Sequence, residues 1–403
     1  MHTGDRTTTL HASSACDLPT SDVDIFSDAV LYDPFPTYDY LRELGSAVWL
    51  EKLGFFILTR FEDVKSALAN PDVFCSGQGV MMNDRMNETL RGIVLCSDGV
   101  PHDLMRKVLI APLLPKALRE LTDRITHEAE NVIERLVAKK RFDAATELAQ
   151  HLPVTIVSDL VGLPEEGRER MLVWASANFD CFGPMNQRTK DAFPIVEEMV
   201  RFAFEECVPG KLKPDGWAQK IWDAAERGEI RHDQCPIMMN DYMGPSLDTT
   251  IFATQAAIRL FAENPDQWDI LRANPSLIPN AVNEVVRVES PIQNFSRVVT
   301  SDFAIDGGII PAGSRVIMSY GAANRDPRKW EEPAKFDVQR RAMDHVGFGH
   351  GAHQCIGNNL ARMEIAALLT ALVSRVQRFE LHGAERCLNN VLRGHARLDI
   401  SVH

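Results

Sequence analysis

The sequence predicts a mainly α-helical fold of the α+β class, with a helical core and a smaller β-rich region. Amphipathic patterns of helical period dominate from residue 101 to about residue 270. Short apolar, β-rich stretches cluster instead near the two ends of the chain. The 403 residues are 45% hydrophobic and 25% charged, which is typical of a globular protein with a sizeable core.

The first hundred residues alternate between helix and strand signals. Two prolines lead into an amphipathic helix that ends at Gly45, and an apolar stretch around Gly54 predicts a β-hairpin. A short helix is expected to stop before Pro71. Residues 75–100 are rich in glycine, asparagine, aspartate and methionine and show little periodicity, which predicts a loop.

The last third of the chain ends the helical region and returns to strands. A helix is stopped by Pro291, and residues 295–320 are expected to form short strands around the turns DGG and PAG. A last helix is predicted from near Cys355 to about residue 376. Strand signals at both ends and helix signals between them favour one α+β architecture.

Bulk properties limit the domain organisation and the classes of partner. Residues 1–22 are polar and predicted to be disordered, whereas residues 23–403 show no repeat or linker and are predicted to form a single domain. A net charge of −13 argues against non-specific nucleic-acid binding. No apolar run is long enough to span a bilayer, so no membrane is expected. Eight scattered cysteines without a CxxC pair predict reduced thiols in a cytoplasmic protein.

A glycine-rich loop delivers one cysteine to the start of the last helix. The string FGHGAHQCIG contains Phe348, Gly349, Gly351, Cys355 and Gly357. Glycine allows a tight loop and a close approach of backbone to a bulky group, and the start of a helix stabilises a thiolate. Presentation of Cys355 as an anion to a large flat group and a turn around an inert buried cysteine are both compatible with these residues alone.

The complete string resembles the haem-ligand loop of the cytochrome P450 family. This resemblance implies the cytochrome P450 fold and haem b (iron protoporphyrin IX) with Cys355 as its axial thiolate and iron ligand. Phe348 would pack near the sulfur and limit solvent access, and Gly357 would belong to the cofactor loop. The resemblance extends from about residue 30 to the end of the chain.

Glu284 and Arg287, in the string NEVVR, resemble the Glu-x-x-Arg pair of the same family. Alone, such a pair at i, i+3 is usually a surface salt bridge. The resemblance implies instead a structural brace that an arginine from a later loop completes. Arg340 is the expected third partner, with Lys335 and Arg341 as alternatives.

Two further motifs resemble the family's propionate and oxygen sites. His102 and Arg106, four residues apart in PHDLMRKV, would bind one haem propionate, and Arg297 and His353 would reach the other. The alternative for the first pair is a solvated helix face.

In MGPSLDTTI, Asp248 and Thr249 resemble the acid–alcohol pair that relays protons during oxygen activation. They are expected within the long central helix, as the catalytic pair. Pro245 and Ser246 replace the family's common Ala-Gly, so a differently shaped helix is expected there.

The substrate is predicted to be a small aromatic compound. The strings NFDCFGPMN, VRVESPIQNFSR, GAANRDPRKW and LNNVLRG resemble monooxygenases of para-substituted benzoates. This resemblance implies Arg91 as a carboxylate anchor, although Asn240 and Asp241 stand where that subfamily has basic and small polar groups. An acid there would disfavour a benzoate, so a phenol or aryl ether is the alternative substrate. The loop of residues 78–95 is also expected to line the pocket. The other side chains expected there are Phe179, Phe182, Tyr242, Met243, Ile292, Phe295, Val391 and Leu392.

The family resemblance implies a haem-thiolate monooxygenase that inserts one oxygen atom of O2 by hydroxylation or O-demethylation. An H2O2-driven peroxygenase and a haem-thiolate sensor without turnover are the alternatives. No flavin, nicotinamide or iron–sulfur motif is present, so electrons are expected from a [2Fe-2S] ferredoxin and its reductase. An acidic ferredoxin would dock on a basic patch formed by Arg106, Lys107, Lys116 and Arg362.

Overall fold

The computed structural model describes residues 18–403, and helices make up most of it. Helix signals between residues 101 and 270 are confirmed, with several helices separated by short turns. The α-helices are α1 Asp28–Tyr32, α2 Phe35–Leu44, α3 Phe61–Leu68, α4 Asp84–Thr89, α5 Gly99–Ile110, α6 Pro115–Arg119, α7 Thr122–Lys139, α8 Ser158–Val161, α9 Glu165–Cys181, α10 Gln187–Glu205, α11 Trp217–Glu226, α12 Cys235–Met238, α13 Asn240–Met243, α14 Asp248–Glu263, α15 Pro265–Ala273, α16 Ile278–Glu289, α17 Tyr320–Ala323 and α18 Asn358–Val373.

The main sheet contains strands from both the N-terminal and the C-terminal part of the chain. A six-stranded sheet has the order β1-β2-β3-β9-β6-β4, so N-terminal strands pair with strands from beyond residue 290. A three-stranded sheet has the order β10-β11-β5, and β7 and β8 form a hairpin. The strands are β1 Thr20–Ser21, β2 Ala47–Leu50, β3 Phe55–Leu58, β4 Phe74–Cys75, β5 Arg141–Asp143, β6 Asn294–Val299, β7 Phe303–Ile305, β8 Gly308–Ile310, β9 Arg315–Ser319, β10 Phe379–Leu388 and β11 Arg393–Val402.

Several local predictions are confirmed. The helix that ends at Gly45 is α2, and the hairpin around Gly54 is the antiparallel pair β2–β3. The helix before Pro291 is α16, whose last turn is closed by Ser290 in the left-handed conformation (φ 43°). Proline then follows where the helix cannot continue.

Other predictions are wrong in detail. The expected loop 75–100 contains α4 and a short 3₁₀ turn, Val94–Cys96, because their buried side chains pack on the core from segments too short to show a period. The last helix, by contrast, is confirmed: it begins at Asn358, just after Cys355, and ends at Val373. Strand β5 interrupts the helical region because its backbone pairs with β11.

The prediction of a disordered segment 1–22 concerns mostly residues outside the described part of the chain, which begins at residue 18. Within it, β1 pairs in parallel with β2 through Thr20 and Trp49, so disorder is the wrong prediction for these residues. The single domain predicted for residues 23–403 stays a prediction.

A buried ion-pair cluster connects α16 to the segment that precedes the cysteine loop. Both side chains of the Glu284–Arg287 pair have no exposed surface, and their closest atoms are 2.7 Å apart. Arg340 Nε donates to Glu284 Oε1 at 3.1 Å, whereas the side chain of Lys335 pairs with Glu332 instead. The carboxylate of Glu284 therefore lies between two guanidinium groups, which fixes α16 against the chain that leads to Cys355.

The central helix is interrupted beside Pro245. Helix α13 ends at Met243, and α14 starts only at Asp248. Proline lacks an N–H and cannot continue the helical hydrogen-bond ladder, which accounts for the break. Asp248 and Thr249 therefore lie on the central helix α14 as predicted, in its first turn, and the change of helix shape expected at Pro245 is a break between α13 and α14.

Candidate functional site

An internal cavity separates the cysteine loop from the break in the central helix. It encloses about 1650 Å³ of empty space, its mouth included. One wall is the loop from Gly347 to Gly357 with the start of α18, and the opposite wall contains Thr249 and Ala253 of α14. Apolar and aromatic side chains predominate around it, so the cavity is large enough and apolar enough for a bulky flat group together with a small ligand.

Backbone conformation shapes the cysteine loop. Gly349 and Gly351 have φ values of 70° and 71°, a region that side chains with a Cβ rarely adopt. A Cβ on Gly351 would also lie 2.6 Å from the carbonyl oxygen of Leu68. The N–H of Cys355 donates to the carbonyl of Phe348 at 2.8 Å and closes the loop. Glycine is therefore required here by geometry, as the sequence predicted.

The Cys355 thiol is open to the cavity and lies among positive groups. Because protein encloses the cavity, burial raises the pKa of the thiol. The backbone N–H groups that follow it, at Gly357 and Asn358, and the guanidinium groups of Arg106 and Arg362 oppose that shift. Each of these groups stabilises a thiolate, so the loop provides an environment in which the anion is favoured once a cation binds in front of it.

The residues predicted to hold haem carboxylates come together at one end of the cavity. His102 and His353 have ring centroids 4.4 Å apart. His102 is buried, with Nδ1 2.9 Å from Asp103, and its Nε2 has no hydrogen-bond partner. Arg106 and Arg297 line the cavity from α5 and β6. His102 does not itself line the cavity but contacts His353, which does, and its unpartnered buried nitrogen and the two cavity arginines are groups that suit the carboxylates of haem.

Asp98, which sequence reasoning missed, contacts His353, one of the residues predicted to hold a haem carboxylate. It occupies the N-cap position of α5, yet its carboxylate binds His353 Nε2 at 3.2 Å and accepts from the N–H of Gly77 at 2.6 Å and the thiol of Cys75 at 2.9 Å. Burial alone would raise the pKa of Asp98, but these hydrogen bonds hold it well below its usual range. An Asp directly before a helix was the available signal.

The acid–alcohol pair divides between the cavity and the protein interior. Thr249 lines the cavity, and its hydroxyl donates to the carbonyl of Pro245 at 3.1 Å. Asp248 is buried behind it, and Oδ2 has no partner. Burial and the nearby charge of Asp180 raise the pKa of Asp248 to about 7. A carboxyl of that pKa can take up and release protons near neutral pH.

The predicted substrate residues divide into two groups. Phe179, Phe182, Tyr242, Ile292 and Phe295 line the cavity, together with residues Leu90 and Ile93–Leu95 of the segment predicted as a loop. The aromatic rings of Phe179, Phe182 and Phe295 contact one another in sequence, with centroid separations of 5.4 Å and 5.9 Å.

Four predicted pocket residues lie elsewhere. The side chain of Arg91 is exposed to solvent outside the cavity, because the short helix α4 before it turns that residue outward. Met243 is fully buried in the core. Leu392 pairs through its backbone with Ile292, and Val391 accepts from the N–H of Gln293, so both support the cavity wall from behind.

Two of the four residues predicted for a basic docking patch are not free. Arg106 donates to the carbonyl of Gln354 at 2.6 Å, and Arg362 donates to Asn283 at 3.0 Å and stacks on the ring of Phe348. Lys107 and Lys116 are exposed.

Comparison with known proteins identifies the family. A family model described as cytochrome P450 matches residues 218–394. A protein described as cytochrome p450 CYP199A2, from Rhodopseudomonas palustris, is 35% identical over 390 residues, which cover 96% of this chain and 95% of that protein. The chain is a cytochrome P450. Linalool 8-monooxygenase of Pseudomonas putida is 28% identical over 400 residues, which cover 94% of this P450 and 97% of that enzyme.

Solved structures show the same fold. The haem domain of CYP116B5 from Acinetobacter radioresistens superposes with a TM-score of 0.84 at 22% identity, over 95% of this P450 and 97% of that chain. P450BioI, crystallised with an acyl carrier protein, superposes with a TM-score of 0.82 at 22% identity, over 93% of this P450 and 99% of that chain. The predicted cytochrome P450 fold is confirmed.

Family membership establishes the general activity. The protein is a P450 monooxygenase with a haem-thiolate cofactor, and it uses O2 and an electron-transfer partner. Among residues 18–403, no helix combines the length and the apolar character that a membrane span requires.

Proposed function

We propose that this P450 oxidises a small aromatic compound by hydroxylation or O-demethylation. The main support is the cluster of aromatic rings on the cavity wall, where Phe179, Phe182 and Phe295 stand edge to face or tilted toward one another. Offset and edge-on ring contacts favour a flat aromatic ligand. The strings that resemble the para-substituted benzoate monooxygenases support the same class of substrate.

We assign the haem iron ligand to Cys355. When bound, haem supplies the oxygen-activating chemistry that the protein alone lacks. The glycine loop orients the thiol toward the cavity, and Arg106 and Arg362 favour its anionic form. Phe348 covers the loop with Arg362 stacked on its ring at 4.4 Å, which limits the access of water to the sulfur.

Four residues are proposed to hold the haem carboxylates. His102 offers its unpartnered Nε2, and His353 is oriented by Asp98. The guanidinium groups of Arg106 and Arg297 line the same end of the cavity and supply the opposite charge.

Proton supply is proposed to run through Asp248 and Thr249. A pKa of about 7 allows Asp248 to take up a proton that comes from bulk solvent and to release it near neutral pH. The Thr249 hydroxyl, already directed to the carbonyl of Pro245, holds a proton at the cavity wall. The half-buried Ser246 lines the cavity in the same turn and adds a second hydroxyl.

Electrons are proposed to come from a [2Fe-2S] ferredoxin and its reductase. Lys107 and Lys116, exposed on α5 and α6, are the two cations of the predicted patch that remain available to an acidic partner.

Two measurements test these proposals in order. The carbon monoxide difference spectrum of the reduced protein tests the thiolate: a strongly red-shifted Soret band supports Cys355, and a band typical of histidine ligation refutes it. Spectral titration with methoxy-substituted phenols, benzoates and aryl ethers, followed by product analysis with a surrogate ferredoxin system, tests the substrate class. Absence of a substrate-induced shift with every compound would refute the aromatic proposal.

A further inference from the structure

The wall of the cavity formed by α13 carries hydrogen-bond acceptors. Asn240 and Asp241 are adjacent in sequence, and both line the cavity. Asn240 is buried, and its Nδ2 donates to the carbonyl of Ile237 at 2.9 Å. That bond fixes the orientation of the amide, so its Oδ1 is the free end, and this oxygen is buried without a partner. An unpartnered buried acceptor beside a cavity points to a donor from a ligand or from water.

Asp241 is a carboxylate held in place by backbone donors. The N–H of Val94 donates to its Oδ2 at 3.1 Å, and the N–H of Leu95 contributes a second hydrogen bond. Val94 and Leu95 also line the cavity, so this tether joins two parts of the wall. Between residues 18 and 403, Asp241 forms no ion pair with a lysine, arginine or histidine. A side chain fixed in this way presents its remaining lone pairs in a defined direction.

Tyr242 and the two cavity arginines are already used, whereas the neutral amide of Asn178, next to Gly244, also lines the cavity and has an unpartnered Oδ1. The hydroxyl of Tyr242 donates to the carbonyl of Leu109 at 2.8 Å, so it is not available to a ligand as a donor. Arg106 and Arg297, the arginines of the cavity lining, donate to the carbonyls of Gln354 and Ser296 and belong to the cofactor end. The α13 wall therefore offers acceptors without a matching cation.

We infer that Asn240 and Asp241 form a subsite that selects aromatic substrates bearing an O–H or N–H donor and rejects carboxylates. A phenol hydroxyl or an ammonium group would donate to the carboxylate in a charge-assisted hydrogen bond. A benzoate would bring a second negative charge to a partly buried acid, which is repulsive. The inference rests on the proposed oxidation of small aromatic compounds and specifies which of them fit.

Burial raises the pKa of Asp241 to about 7, so the experiment is run at pH 8, where the carboxyl is mostly ionised. The haem-loaded protein is titrated with para-methoxyphenol, para-methoxybenzylamine, para-dimethoxybenzene and para-methoxybenzoate. Dissociation constants are read from the substrate-induced spectral shift and checked by calorimetry. Asp241→Asn removes the charge at constant shape, and Asp269→Asn, at an exposed acid of α15, is the control for net charge.

In the unchanged protein, we expect the phenol or the amine to bind about tenfold or more tightly than para-dimethoxybenzene. Asp241→Asn should remove most of that preference and improve benzoate binding, whereas Asp269→Asn should change neither. If the amine exceeds para-dimethoxybenzene in affinity by more than the phenol does, the recognised group is a cation. If the phenol has the larger advantage in affinity, the recognised group is a neutral hydroxyl. Both results support the subsite.

Other outcomes overturn it. If all four compounds bind and Asp241→Asn leaves their order unchanged, the subsite is refuted while the aromatic proposal stands. If none of them binds to either protein, the aromatic proposal itself falls and the subsite with it. Should Asp241→Asn fail to retain haem, Asn240→Ala removes the free acceptor and leaves Asp241 tethered. A loss of phenol affinity of about threefold or more is then required.

Discussion

Replacement of Glu284 by glutamine should destabilise the protein far more than the same replacement at an exposed pair. Glu284 accepts from Arg287 Nε at 2.7 Å and Nη2 at 2.8 Å, from Arg340 Nε at 3.1 Å and from the N–H of Asp337 at 3.1 Å. Glutamine keeps one acceptor oxygen but removes the charge. Arg287 would remain fully buried without its counter-ion.

The size of the effect follows from burial. Loss of one partner of a buried ion pair costs about 3–5 kcal/mol, because the other charge stays desolvated. Carbonyls of Asn324, Pro333 and Lys335 still accept from the guanidinium, so the lower end, about 3 kcal/mol, is expected for Glu284→Gln. In an exposed pair, water replaces the missing partner, and the loss is at most about 1 kcal/mol.

Glu198 provides the matched control. It accepts two hydrogen bonds from Arg170, both at 2.8 Å, in the same side-by-side arrangement. The side chains of Arg170 and Glu198 are 40% and 42% exposed, so burial is the main difference between the two pairs. Glu198→Gln should therefore change the free energy of unfolding by no more than about 1 kcal/mol.

Urea unfolding of the haem-loaded proteins, followed by far-ultraviolet circular dichroism, measures both variants. Because haem release accompanies unfolding, the quantity compared is the difference between the variants at equal haem content. Equal midpoint shifts for Glu284→Gln and Glu198→Gln would refute the argument from burial. The argument would also be refuted if Glu284→Gln lowered the free energy of unfolding by less than about 1 kcal/mol.

Three further predictions concern the cavity. Thr249→Ala removes the hydroxyl that donates to the carbonyl of Pro245. The amount of product formed per electron consumed should then fall roughly tenfold or more, while substrate-induced spectral shifts persist. An unchanged ratio of product to electrons would contradict the relay. His102→Phe removes the free Nε2 and should accelerate haem transfer to apomyoglobin about tenfold; an unchanged rate would exclude a carboxylate contact. Burial raises the pKa of Glu364 to about 8, so the folded state retains a proton that the unfolded state releases above about pH 5. Wild-type stability should therefore fall relative to Glu364→Gln between about pH 5 and pH 8, by up to about 1.4 kcal/mol per pH unit; parallel stability curves would contradict this shift.

The cysteine loop and the Glu284–Arg287 pair could be read from the sequence because both depend on short-range geometry. Glycine permits the positive φ values at Gly349 and Gly351, and residues at i, i+3 share a helix face wherever the helix lies. The third partner, Arg340, depends on how a distant loop returns, and the family resemblance supplied it.

The pocket could not be read in the same way. Met243 and Leu392 are apolar and buried as expected, but burial against the core and burial against a cavity favour the same residue types. Arg91 faces solvent because the preceding helix α4 turns it outward. The sequence did not reveal this helix because the segment shows no helical period.

The sequence by itself determined the family and predicted the cysteine loop and the Glu284–Arg287 pair, because these are encoded by local spacing and motif order. Only the tertiary structure decided that Asp98 orients His353 and that Asn240 and Asp241 present acceptors to the cavity. The physical reason is that a hydrogen bond between residues far apart in the chain is set by the packing of whole elements. The local sequence around either residue does not indicate how those elements pack.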